Sequence, residues 1–261
     1  MRADNNKKDG GYVMKNAIIA VSFGTTHADA ERDCICPVED ALRRAFPEWE
    51  VRRAWTSRII ARRLAERGTP VESVAEALER LRREGCDRVA LAATHIIRGR
   101  EYEMAVAAAD GLPVSAPLLD GPEDFRWMAG LLGRIAEAEG RTLLVMGHGT
   151  DHAADETYAR LREALPEGVK LACVEGRHAL EGIMDDLEAV PGKRLALMPL
   201  MLVAGDHATN DLAGDGDDSW KSRLEARGFD IALRLQGLGA LEDVRQRFVE
   251  KARAAVERAR G

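Results

Sequence analysis

Two histidines and a glutamate each stand just beyond a short aliphatic run: His148 after LLVMG, Glu175 after LACV and His207 after MLVAGD. Two imidazoles and one carboxylate suit a borderline divalent ion such as Co²⁺, Ni²⁺, Fe²⁺ or Zn²⁺. Three protein ligands leave coordination positions open, as a site that must hand its metal on requires. Taken singly each signal is weak. A histidine after a strand is an ordinary loop residue, and a Glu-Gly pair there can simply open a helix with a favourable charge. The set gains meaning only if the fold brings all three to one edge.

The elements that would do this are short aliphatic segments alternating with amphipathic ones. Strands are expected at 17–21, 51–55, 88–93, 142–146, 169–173, 194–198 and 231–235, aliphatic as buried parallel strands are. A helix is expected over 70–84, opened by Pro70 and closed by Gly85, and another over 241–260. The alternation predicts an α/β fold with parallel sheets.

An internal repeat sharpens this. IIAVSFGTTHADAE from Ile18 parallels LLVMGHGTDHAADE from Leu143, and RVALAATHIIRGRE from Arg88 parallels RLALMPLMLVAGDH from Arg194. VRRAWTS from Val51 answers VKLACVEG from Val169 more weakly. Three ordered matches predict two similar Rossmann-like half-domains. The expected division is a loose tail over 1–14, an N-terminal half over 15–125 and a C-terminal half over 126–261. Ligands in open parallel sheets bind beyond the carboxyl ends of the strands. There the second half presents His148, Glu175 and His207, where the first has Phe23, Ser57 and Glu101.

Composition narrows the rest. With 46% apolar and 31% charged residues the chain reads as an ordinary globular enzyme. A net charge of −6 speaks against a general nucleic-acid binder. Cys34, Cys36, Cys86 and Cys173 form no CxxC pair, which argues against a zinc ribbon or an Fe–S cluster. No phosphate loop of the GxxxxGK[ST] type occurs, so no nucleotide is expected. No signal segment or membrane span is visible, and the expected location is the cytoplasm. The run 215–218 is read as an acidic loop capping a following helix rather than a calcium loop. The oligomeric state stays open, a homo-oligomer included.

At these residues the sequence resembles the anaerobic sirohydrochlorin cobaltochelatases of the CbiK type, within the class II chelatase superfamily. The resemblance rests on VSFGTTHADAE, RRAWTSRII, THIIRGREYE, VMGHGTDHAADETYA and MPLMLVAGDHATNDLAGDGDDSWKSRL. It implies two α/β halves with a tetrapyrrole cleft between them, and Co²⁺ as substrate metal held by His148, Glu175 and His207. Where the family often has Asn-Gly-Asp, this chain has Arg98-Gly99-Arg100, followed by the retained Glu101.

The activity expected is insertion of Co²⁺ into sirohydrochlorin or its reduced precursor for cobalamin synthesis. His148 and His207 would take up pyrrole protons, with Glu101 as a relay. Residues expected at the macrocycle are Ser22, Phe23, Thr25, Trp55, Arg58, His95, Arg98, Arg100 and Met201, with Met198 and Leu200 as further apolar wall. His152 and its repeat partner His27 leave a supporting and a structural role both open. The alternatives are an iron or nickel chelatase, a non-catalytic tetrapyrrole or metal carrier, and a sugar- or nucleotide-binding protein with structural histidines.

Overall fold

Strands rich in Ile, Leu, Val and Ala on both faces can only be buried on both faces, and each lies between helices. The computed structural model describes residues 14–261, so the expected tail lies, apart from Met14, outside the described residues. The first half holds β1 (Asn16–Ser22), α1 (Ala28–Ala30), α2 (Cys36–Ala45), β2 (Glu50–Trp55), α3 (Arg58–Glu66), α4 (Val74–Arg83), β3 (Arg88–Ala93) and α5 (Arg100–Ala108). Then follow α6 (Pro122–Glu139), β4 (Thr142–Gly147), α7 (Glu156–Ala164), β5 (Val169–Cys173), α8 (Met184–Glu188), β6 (Arg194–Pro199), α9 (Trp220–Glu225), β7 (Asp230–Leu233) and α10 (Glu242–Arg260).

All seven expected strands are present within a residue or two. They form two parallel sheets, β2-β1-β3 and β5-β4-β6-β7. The central strand of each is the one carrying the Gly-Thr motif, and its neighbours are the repeat-matched pairs. This is the architecture of two Rossmann-like halves. Among the described residues the first sheet has no counterpart of β7 beyond one bridge, Leu91 to Val114. The backbone keeps the pattern there: Leu118 N–H donates to His95 O, as Leu238 N–H donates to Met201 O.

One helix boundary differs from expectation. α4 starts at Val74, not Pro70. The Ser73 hydroxyl accepts from Glu76 N–H at 3.3 Å, and the Glu76 carboxylate accepts from Ser73 N–H at 2.8 Å. This reciprocal cap satisfies the free amides of the first turn and fixes the start. Gly85, with φ at +70°, ends it as expected.

The cores follow the layers. Leu143, Val145, Leu171 and Met198 pack under α6 and α7, and Leu144, Leu195 and Leu197 meet Leu187, Leu224 and Phe229 on the other face. The last helix departs from a simple split of the chain. Val249, Ala252, Ala255 and Val256 of α10 pack on Ile18, Ala20, Ala90 and Ala92 of the first sheet. Among the described residues no helix is long and apolar enough to cross a membrane.

Candidate active site

The site is made by loops that leave the carboxyl ends of β4, β5 and β6. Beyond β4 the chain turns at Gly149, whose φ of +79° suits glycine. A Cβ there would lie 1.9 Å from the Glu175 carbonyl oxygen, so only glycine lets the two loops touch. Because they touch, β4–β5 pairing continues past the strand ends. Val174 N–H donates to Gly147 O at 3.0 Å, and Glu175 N–H donates to His148 O at 2.8 Å. That contact sets the two side chains abreast, with His148 Nδ1 3.9 Å from Glu175 Oε2.

His207 arrives from β6. It opens a π-helical turn, His207–Leu212, a local widening often found at functional sites. Its ring stands edge-on to that of His148, centroids 4.7 Å apart at 86°. The structure thus brings His148 together with both Glu175 and His207. Among the described residues, however, no three His, Cys, Asp or Glu side chains close into a formed ion cage. Glu175 meets His148 on the Nδ1 side, away from Nε2.

Hydrogen bonds define the ring nitrogens. His148 Nδ1 lies 2.9 Å from Gly149 O, which can only accept, so Nδ1 carries the proton and Nε2 keeps its lone pair. His207 Nδ1 lies 2.7 Å from Asp211 Oδ2, and the same argument leaves its Nε2 free. Sequence reasoning missed Asp211, although His-x-x-x-Asp at helical spacing was a usable signal. It also missed Tyr158 of α7, buried beneath the His148 turn. Burial pushes its phenol well up. Cys173 lies near by, its thiol pushed up to about 12 by burial and then by Asp155.

The repeat holds atom by atom. Thr56 N–H donates to Ser22 O, Ser57 N–H to Phe23 O and Thr94 N–H to Val21 O, matching Val174 to Gly147, Glu175 to His148 and Leu200 to Met146. Thr25 Oγ1 accepts from His27 N–H at 3.2 Å as Thr150 Oγ1 accepts from His152 N–H at 3.1 Å. Phe23 and Ser57 therefore occupy the places of His148 and Glu175, and Phe23 stands exposed.

Other expected site residues divide sharply. Several expected to line a cleft are core. The Ser22 hydroxyl is buried against Thr94 Oγ1 at 2.8 Å. Trp55 lies under Gly24, where a Cβ would be 2.6 Å from its ring, and Met198 and Leu200 are fully packed. Sheet pairing turns these side chains into the layers rather than toward the loops. Thr25 is buried as a turn acceptor. His95 is only 9% exposed, neither ring nitrogen has a partner, and burial alone pushes its pKa down to about 4. Its neighbour Tyr102 meets it edge-on at 6.1 Å. Glu101, in the first turn of α5, has one buried carboxylate oxygen without a partner. Arg58 is exposed at the start of α3, and Met201 is half-buried. Arg98 donates to Asp120 Oδ1 from two nitrogens, at 3.0 and 2.7 Å, and lies over the Tyr102 ring.

The two carboxyl edges face one another. His27 Nε2 of the first half meets Asp206 Oδ1 of the second at 2.6 Å. Arg100 donates to Asp151 Oδ2 at 3.0 Å, and His152 Nε2 stands 3.4 Å from Glu103 Oε2. Both histidines that follow the Gly-Thr turns are thus used between the halves. The side chains of His148 and His207 are 46% and 37% exposed at this rim.

The model of the cobalt chelatase (CbiK) family matches residues 16–257. The sirohydrochlorin cobaltochelatase of Salmonella typhimurium is 36% identical over 251 residues, covering 90% of this chain and 94% of its own. Sirohydrochlorin cobaltochelatase CbiKC of Nitratidesulfovibrio vulgaris is 34% identical over 259 residues, covering 94% and 92%. A glucose-galactose binding protein from Geobacillus stearothermophilus superposes with a TM-score of 0.44 at 14% identity over 95% of this chain and 92% of its own, too slight a likeness to bear on function. With the family model spanning both sheets and both motif-bearing loops, the chain belongs to the cobalt chelatase (CbiK) family.

Proposed function

We propose that the chain inserts Co²⁺ into sirohydrochlorin, with His148, Glu175 and His207 as the first ligands of the incoming ion. The observation that carries the reading is the pair of imidazoles at 4.7 Å, each with Nδ1 committed to an acceptor and Nε2 left bare. Neutral imidazole nitrogens and one carboxylate suit this class of ion. Glu175 swings from the Nδ1 side of His148 to join them, offsetting part of the ion's charge.

Insertion replaces two pyrrole N–H protons with metal–nitrogen bonds, so two protons must leave as the ion arrives. As Co²⁺ passes to the ring, Nε2 of His148 and of His207 becomes free to take them. An imidazole nitrogen with a bare lone pair can accept such a proton. The Asp211 carboxylate holds His207 in the required tautomer and orientation. Glu101, at the repeat position of His207, faces from the first half and relays a proton. Phe23 offers an apolar surface, and Arg58 and Arg100 offer forked donors for the carboxylates around the macrocycle. The N-terminal half, 15–125, thereby holds the face of the ring opposite the metal, and no nucleotide takes part.

The test follows the absorption spectrum of sirohydrochlorin with Co²⁺, Fe²⁺ and Ni²⁺ at matched concentrations. Insertion of Co²⁺ well above the protein-free rate is expected, with His207→Ala losing about a hundredfold or more, the scale of a lost acid–base group. Insertion no faster than the control for every metal overturns the function. Unchanged insertion by His207→Ala overturns the site.

A further inference from the structure

Three arginines stand near the rim, and they are held very differently. Arg98 is engaged by two donor nitrogens on Asp120 and stacked over Tyr102 at 5.0 Å. Arg58 carries no ion pair among the described residues. Arg100 makes a single bond, at 3.0 Å, to Asp151 of the other half. Both members of that pair are largely in solvent, with side chains 66% and 80% exposed. Asp151 belongs to the His148 turn, three residues on, so the guanidinium reaches the edge where the macrocycle would sit.

We propose that Asp151 is an internal anion occupying the carboxylate-recognising Arg100 until a substrate carboxylate takes its place. This rests on the substrate class proposed above, a polyanionic tetrapyrrole. An exposed pair of this kind contributes little, so exchanging one carboxylate for another is nearly neutral for the protein. A macrocyclic carboxylate offers Arg100 a forked bond that its present single contact with Asp151 does not. Arg98 has no such freedom, because Asp120 and Tyr102 both hold it. Exchange also separates Asp151 from Arg100, which leaves His27 to Asp206 and His152 to Glu103 as the bridges spanning the rim. Arg100 therefore couples substrate capture to loosening of one side of the cleft.

The two partners must then act in opposite directions. Binding of metal-free sirohydrochlorin is read from quenching of its fluorescence with no metal added, and KM is read separately from cobalt insertion. Arg100→Gln weakens binding about fivefold and Asp151→Asn strengthens it by about the same factor, the span of one exposed charge-assisted bond. The double variant binds like Arg100→Gln, since the internal anion matters only when Arg100 is there. Raised salt shrinks both effects by screening. Weakened binding by Asp151→Asn, or unchanged binding by Arg100→Gln, overturns the proposal. No binding by the unaltered chain overturns it together with the substrate assignment. Binding without cobalt insertion overturns the proposed reaction while leaving the roles of Arg100 and Asp151 open to this same comparison.

Discussion

At the scale of residues, tautomers decide what the site can do. His148 leans on the carbonyl of its own neighbour, whereas His207 leans on the Asp211 carboxylate. The second bond is charge-assisted and supports a proton-accepting Nε2 more strongly. Asp211→Asn should weaken Co²⁺ binding, measured by calorimetry without tetrapyrrole, about tenfold or more; an unchanged affinity would remove Asp211 from the site. His95 gives a separate prediction about stability. Its folded pKa, about 4, lies below the ordinary value near 6.5. Between those values the unfolded chain binds a proton that the folded chain refuses, so stability falls as pH drops through that window and levels off below it. The full effect is up to about 3 kcal/mol. His95→Met, the residue at its repeat position, should flatten the melting temperature across pH 4 to 6.5; a slope as steep as before would refute the assignment. His148, Glu175 and His207 stood out as candidates because each lies in the loop beyond a recognisable strand. Ser22 and Trp55 were misplaced because a strand pattern does not say which way the last side chain turns. Asp211 was missed because it acts through a hydrogen bond to His207, and Tyr158 because it acts by packing under the loop, rather than by type.

At the scale of elements, the turn after each central strand matters more than the helices around it. Gly24 and Gly149 both take positive φ, +100° and +79°, and both are pressed from the neighbouring loop or strand. The obstacles differ. Over Gly24 lies the Trp55 side chain, while over Gly149 lies the Glu175 backbone itself. Gly149→Ala should therefore cost more than about 2 kcal/mol in strain and clash, and should separate His148 from Glu175. Its check is chemical denaturation beside Co²⁺ affinity, and a variant with native stability and native affinity would show the close approach to be dispensable. Strand positions were readable from aliphatic runs, since buried parallel strands have little choice of composition. The start of α4 was not, because Pro70 suggested a first turn that the Ser73–Glu76 cap places four residues later. The π-helical turn at His207 has no periodicity of its own and left no mark in the pattern.

At the scale of the molecule, the duplication was legible in the order of its motifs, and the identical strand orders around β1 and β4 follow from it. What the repeat did not convey is that the last helix serves the first sheet. Val249 lies within that layer. Val249→Asp should destabilise by about 3 kcal/mol or more, as an unpaired buried charge does. Hydrogen exchange should then lose protection in β1 and β3 before β4 to β6; uniform loss across both sheets would show the halves to be inseparable. The path of α10 also bears on the order of events at the ribosome. Chains usually fold from the N-terminal end as they emerge. Here Ile18 and Ala20 wait for Ala252 and Val256, more than two hundred residues further along the chain, to cover them. The half bearing His148, Glu175 and His207 has its own helices α6 to α9 in hand sooner. The second half is thus set to consolidate first, and the emergence of α10 becomes the step that seals the other.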